Sequence, residues 1–205
     1  MQDTSECQLM RQLLNSEVIL MSKVRSFLAI DLDDSLKPNM DKIINKFKQI
    51  DANIKYVDSV NLHLTLKFFG DIDSDQIDLI EDKINSVIKD FKPFNIKLKG
   101  CGAFPNKNRI RVIWVGIDET SILKDLHDSL DREFGEIGFD LDKKFSSHLT
   151  IGRMKSAKGK DDVKNTIAEF ENFDIGAMEV NSIKLKKSTL TPNGPIYEDL
   201  IKFEL

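Results

Sequence analysis

The chain has 205 residues, 40% of them hydrophobic and 31% charged, with 30 basic side chains against 34 acidic ones and a formal net charge of −4. This describes one globular domain, or one domain of two similar lobes, with a core that needs no staples; it excludes an overall electrostatic footprint for long nucleic acid, while a local basic cluster still suits a small anion. Cys7 and Cys101 are too few for a disulfide framework or a cysteine zinc site and fit a reducing, cytoplasmic setting, and no apolar run approaches the ~18 residues that span a bilayer, so no membrane partner is expected.

Residues 1–21 read as a dispensable N-terminal extension. Asp3 and Glu6 stand where a signal peptide is basic, and Val18-Ile19-Leu20-Met21 is too short for its apolar region. From Val24 onward strands and helices alternate. Phe27-Leu28-Ala29-Ile30 is a buried strand, and residues 35–50 space Leu36, Met40, Ile43, Ile44 and Phe47 as a helix. Leu62 to Phe69 alternates as a strand ending at Gly70; Ser74 is placed to cap a helix carrying Ile77, Ile80, Ile84 and Val87. Ile96–Lys99 and Ile110–Ile117 read as strands joined by a Gly/Pro/Asn-rich loop. A helix from about Ser121 to Phe134, a strand at His148–Met154 and a helix with Val163, Ile167 and Phe170 follow. Two strands near 180–191 and 196–205 close the chain around the turn Thr191-Pro192-Asn193-Gly194.

The two halves repeat. Ile96-Lys97-Leu98-Lys99 returns as Ile183-Lys184-Leu185-Lys186, 87 positions on (183 − 96), and Ile30-Asp31 returns as Ile117-Asp118, again 87 on (117 − 30). His63-Leu64-Thr65-Leu66 returns as His148-Leu149-Thr150-Ile151, 85 on (148 − 63). A duplication with units of about 24–109 and 110–205, one His-x-Thr in each, explains all three.

In a strand, residues i and i+2 share a face, so His63 lies beside Thr65 and His148 beside Thr150. A hydroxyl donates to a non-bridging phosphate oxygen, and an imidazole moves a proton to or from a bridging one. Two such motifs related by a pseudo-twofold put imidazoles on opposite sides of one phosphorus. The plainer alternative is an incidental His-x-Thr. Zinc is another, but two histidines without nearby cysteines leave it short of ligands. His127 falls at the boundary of its helix's apolar stripe.

Asn61–Gly70, Gly102–Asn106, Trp114-Val115, Phe145–Arg153 and Ser188–Glu198 together resemble the RNA 2′,3′-cyclic phosphodiesterases, also called 2′-5′ RNA ligases, of the two-histidine phosphoesterase superfamily. The resemblance runs over about residues 24–205. Ser147 stands where that family often has Pro, and Val60 where it often has an acidic residue. The resemblance implies an α+β fold of two pseudo-twofold-related lobes, each an antiparallel sheet flanked by helices, with the active site in the cleft between them. It implies opening of a terminal 2′,3′-cyclic phosphate to a 2′-phosphate, without metal or other cofactor, on RNA 3′ ends or cyclic nucleotides; a monomer is expected.

In that reading His63 is the proton donor and His148 the acceptor. Thr65 and Thr150 hold the phosphate oxygens, and Arg153 neutralises its charge. Lys67 shares the alternation of His63 and Thr65 and is a candidate cleft residue. Phe104 is a candidate for stacking on a base, with core packing as its alternative. Arg109 and Arg111 flank a strand start near where an RNA backbone could pass. The same site run backward would make a 2′-5′ linkage, and a non-catalytic binder of RNA ends is the third alternative; two retained His-x-Thr motifs argue against the last.

Overall fold

The apolar run at Phe27 forms the centre of β1 (Val24–Asp31), whose residues 26–30 are all buried. The structure, a computed structural model, describes residues 23–118, 121–192 and 194–205; the expected extension over 1–21 and Asn193 of the final turn lie outside the described residues. The other strands are β2 (Ile54–Tyr56), β3 (His63–Ile72), β4 (Phe94–Asn106), β5 (Arg109–Asp118), β6 (His148–Met154), β7 (Asp174–Val180), β8 (Ser182–Thr191) and β9 (Gly194–Glu204). The helices are α1 (Lys37–Lys48), α2 (Ser74–Ile88), α3 (Ser121–Glu136) and α4 (Lys160–Glu169).

Each helix turns its apolar stripe inward: α2 buries Ile80, Ile84, Val87 and Ile88, and α1 buries Met40, Ile43, Ile44 and Phe47. The cap of α2 is Asp73 rather than Ser74. Its carboxylate takes a backbone N–H of the first turn while the Gln76 side chain accepts from Asp73 N–H at 3.0 Å, a reciprocal capping box. Gly100–Asn106, expected as loop, continues β4 and turns only at Lys107-Asn108.

The nine strands form one antiparallel sheet in the order β7-β4-β5-β6-β3-β1-β8-β9, with β2 beside β6. The order is a palindrome about the β6/β3 junction. β6 mirrors β3, β5 mirrors β1 and β4 mirrors β8, matching the sequence repeats strand for strand. The two lobes, β1/β3/β8/β9 and β4/β5/β6/β7, meet at β3 and β6 through a single ladder pair, Leu64 with Leu149.

Lobe and chain half do not coincide. β4, from the first half, lies between β5 and β7, and β8, from the second, lies against β1. Helices cross as well. α3 packs on α2 beneath the first lobe, where Lys83 bonds Glu133 (2.8 Å) and Glu136 (2.6 Å). α1 packs toward α4 and β7 beneath the second, where Asn39 donates to the Ile175 carbonyl at 2.8 Å.

Candidate active site

The Leu64–Leu149 pair fixes what faces what at the cleft. Extending its antiparallel register by one residue sets His63 across from Thr150 and Thr65 across from His148. All four side chains are half-buried on the face away from Leu64, Leu66, Leu149 and Ile151, which sit in the core. Two imidazoles and two hydroxyls thus alternate across the junction of β3 and β6.

The rings are held alike. His63 Nδ1 lies 2.7 Å from the Asn61 carbonyl and His148 Nδ1 lies 2.6 Å from the Ser146 carbonyl, each two residues back. A carbonyl oxygen only accepts, so Nδ1 carries the hydrogen in both, and Nε2 is left as the atom that exchanges protons. Burial lowers the pKa of each ring, and the carbonyl contact works against it. His63 further feels Asp31, which raises its pKa, and Lys186 and His148, which lower it; His148 feels Arg153, which lowers it.

Aromatic rings wall both histidines. Phe27 and Tyr197 lie 4.9 and 5.3 Å from the His63 ring. Phe104 meets His148 edge-on at 4.9 Å, with Trp114 behind it at 6.4 Å. Phe104 is therefore in the cleft beside His148 rather than in the core. Gly102 makes room for this wall: a Cβ there would stand 2.1 Å from the Trp114 ring.

β-bulges re-aim the ends of the motif strands. In β6, Ile113 pairs with Gly152 and Trp114 with Thr150, so Ile151 is the extra residue. The strict alternation that put His148 and Thr150 in the cleft would have turned Arg153 away; the bulge returns it to the cleft face opposite Val112. In β3, Leu28 pairs with Lys67 and Ala29 with Thr65, leaving Leu66 extra.

Here the result corrects the expectation for Lys67. It points to the helix side, only 5% exposed, where its ammonium donates to Asp131 Oδ1 (2.5 Å) and the Asp140 carbonyl (2.6 Å) and lies 3.2 Å from Asp142. Phe68 takes the cleft-side position instead, opposite Phe27, half exposed and with the Arg25 guanidinium 4.8 Å over its ring. The motif positions Phe68 and Arg153 are counterparts, each five residues past its histidine.

The other charged candidates fall elsewhere. Arg109 and Arg111 are exposed at the start of β5. His127 is buried, stacked on Phe145 at 3.9 Å, with Nε2 3.2 Å from Asp142. Among the described residues, His127, Asp131 and Asp142 are grouped closely enough to hold a metal, but the Lys67 ammonium already bonds both carboxylates. This cluster ties α3 to the segment that leads into His148. Cys101 is buried, and burial pushes its thiol pKa up to about 12, which leaves it unreactive.

A sheet of two mirrored lobes with one His-x-Thr on each inner strand defines a class of phosphate-handling enzymes, and the comparisons agree with it. The sequence model of the LigT like Phosphoesterase family matches twice in tandem, over residues 30–114 and 115–197. An RNA 2′,3′-cyclic phosphodiesterase of Methanothermobacter thermautotrophicus is 42% identical over 183 residues, covering 89% of this chain and all of that protein. One of Thermotoga maritima with the same name is 34% identical, covering 86% and 93%. In three dimensions the chain is similar to the TT0787 protein of Thermus thermophilus (TM-score 0.77, 25% identity, 88% and 97% covered). It also shares the fold of Escherichia coli LigT solved with 3′-AMP (TM-score 0.71, 21% identity, 89% and 98% covered). The chain belongs to the LigT-like phosphoesterase family. It is an enzyme, a hydrolase acting on phosphodiester bonds. No helix of the described residues is long and apolar enough to cross a membrane.

Proposed function

We propose that the enzyme opens the 2′,3′-cyclic phosphate at an RNA 3′ end, or of a cyclic nucleotide, to a 2′-phosphate and a free 3′-hydroxyl, without a metal ion. The observation that carries this is the matched pair of imidazoles, each tethered through Nδ1 to a carbonyl two residues back, on the two strands that meet at Leu64 and Leu149; the names of the relatives supply the substrate class. His148 Nε2 takes a proton from water as the water oxygen bonds to phosphorus. The P–O3′ bond breaks, and His63 Nε2 gives its proton to O3′. Thr65 and Thr150 donate to the non-bridging oxygens, and Arg153 offsets their charge. Each turnover leaves His148 protonated and His63 neutral, and exchange with solvent resets them. The ring of the cyclic phosphate is strained, so alignment and a proton pair are sufficient chemistry. We take residues 22–205 as one bilobal domain of tandem units meeting near 109/110.

The test uses chelator-treated protein and an oligonucleotide ending in a 2′,3′-cyclic phosphate, with the product identified by phosphorus NMR. A 2′-phosphate is expected at an undiminished rate. A 3′-phosphate product, or activity that returns only with added zinc or manganese, would overturn the reading.

A further inference from the structure

The two histidines are tethered identically, so something else must decide which donates the proton. We propose that Asp31, held by Lys184 and Lys186, is a positioning residue that presents a carboxylate to His63 and thereby makes it, rather than His148, the proton donor. The proposal rests on the acid and base roles given above.

Its basis is a mismatch of two residues between the repeats. The β1 and β5 landmarks recur at 87 positions (118 − 31) but the histidines recur at 85 (148 − 63). In the folded sheet this difference is a ladder shift. Asp31 pairs directly with His63, whereas His148 pairs with Gly116. The repeat counterpart of Asp31 is Asp118, two residues further along β5, where it pairs with Lys97 on the side away from β6. Among the described residues, the first lobe therefore sets a carboxylate at the ladder position of its histidine, where the second sets Gly116.

The repeated Ile-Lys-Leu-Lys segments diverge in the same way. Lys97 is half exposed and bonds Asp174 at 2.7 Å. Its counterpart Lys184 bonds Asp31 (2.9 Å) and Asp199 (2.6 Å), and Lys186, 7% exposed, bonds Asp31 (2.8 Å) and Asp199 (2.6 Å). Asp31, Asn61, His63, Lys186, Tyr197 and Asp199 line one pocket of about 410 Å³. Two carboxylates and two ammoniums make a neutral quartet, and its carboxylate Asp31 is the member on the ladder position facing His63. Burial works to raise the Asp31 pKa, but the lysine hydrogen bonds and charges outweigh it, so the group stays ionised. The titratable groups around His63 are then Asp31 from β1, Lys186 from β8, Tyr197 and Asp199 from β9, and His148 from β6, with Lys184 of β8 paired to Asp31 and Asp199.

Because the quartet is neutral, removing one member or another should act on His63 in opposite directions. Asp31→Asn leaves a net positive charge beside the ring and should lower its pKa; Lys186→Gln leaves a net negative charge and should raise it. The experiment follows the ring signals of the three histidines by NMR against pH in the full-length wild type and both variants, assigned through His→Asn substitutions, together with kcat/KM against pH. The expected result is a downward shift at His63 in Asp31→Asn, an upward one in Lys186→Gln, and neither at His148. The alkaline limb of kcat/KM should move with His63. At neutral pH Asp31→Asn should lose roughly tenfold, because the protonated fraction changes tenfold per unit of pKa, and most of that loss should be recovered at lower pH. Shifts of the same sign in both variants, or none, would overturn the proposal. If Asp31→Asn fails to fold, the rise expected in Lys186→Gln decides alone. Opposite shifts at His63 that move the acid limb would uphold the contact and overturn the acid and base roles.

Discussion

At the scale of single residues, the tether on Nδ1 matters as much as the imidazole itself. A histidine free to flip would divide its reactive time between two nitrogens; a carbonyl two residues back removes that freedom for His63 and His148 alike. Replacing either with Ala should lower turnover by about 10²–10⁴-fold, the usual worth of general acid or base catalysis. The double variant should be little worse than the weaker single one, since the two act as a unit. A substrate with sulfur at the 3′ bridging position separates the roles, because a thiolate leaves without needing a proton. It should restore much of the His63→Ala rate and leave His148→Ala crippled; rescue of His148→Ala instead would reverse the assignment.

At the scale of elements, the bulges decide which side chains reach the cleft. They also mark where the sequence stopped being legible. Hydrophobic alternation gives the faces of His63, Thr65, His148 and Thr150 correctly, since no irregularity lies within those motifs. Beyond them alternation assigns Lys67 to the cleft, and the extra residue Leu66 sends it into the core. A bulge has no hydrophobic signature of its own, because Leu66 and Ile151 are as apolar as any strand residue. β7 escaped for a related reason: only Ile175, Met178 and Val180 are buried in it, with Gly176, Ala177 and Glu179 between. The buried end of Lys67 predicts a measurable cost. Lys67→Ala leaves Asp131 with a buried, uncompensated charge and should destabilise the fold by about 3–5 kcal/mol. Lys67→Met combined with Asp131→Leu should recover much of that in a thermal or urea melt. If the single variant melts like wild type, the cluster is not what holds α3 to β3.

At the scale of the whole molecule, the repeat was legible but the exchange was not. Three landmarks at nearly one offset reveal two copies, yet sequence order suggests copies lying side by side, and nothing local in β4 or α1 says that each serves the other lobe. A protease site engineered into the exposed turn at Asn108 tests the interlock. Cutting there separates the chain near its repeat boundary, but β4 stays between β5 and β7, and β8 stays against β1. The two fragments should co-elute as one particle of unchanged size and keep most of their activity; fragments that part without denaturant would contradict the exchange.

The palindromic strand order carries a consequence for ancestry. A single copy of the repeat would own one histidine, one inner strand and a β4-like strand with no sheet of its own to join. The surface able to receive that strand is present on a second copy, related by the same twofold. An unduplicated ancestor with this geometry would have been an intertwined homodimer, its active site shared across the subunit boundary and its two histidines chemically identical. Fusion into one chain frees the copies to differ, and a slip of two residues between them sets Asp31 opposite His63 where Gly116 stands opposite His148.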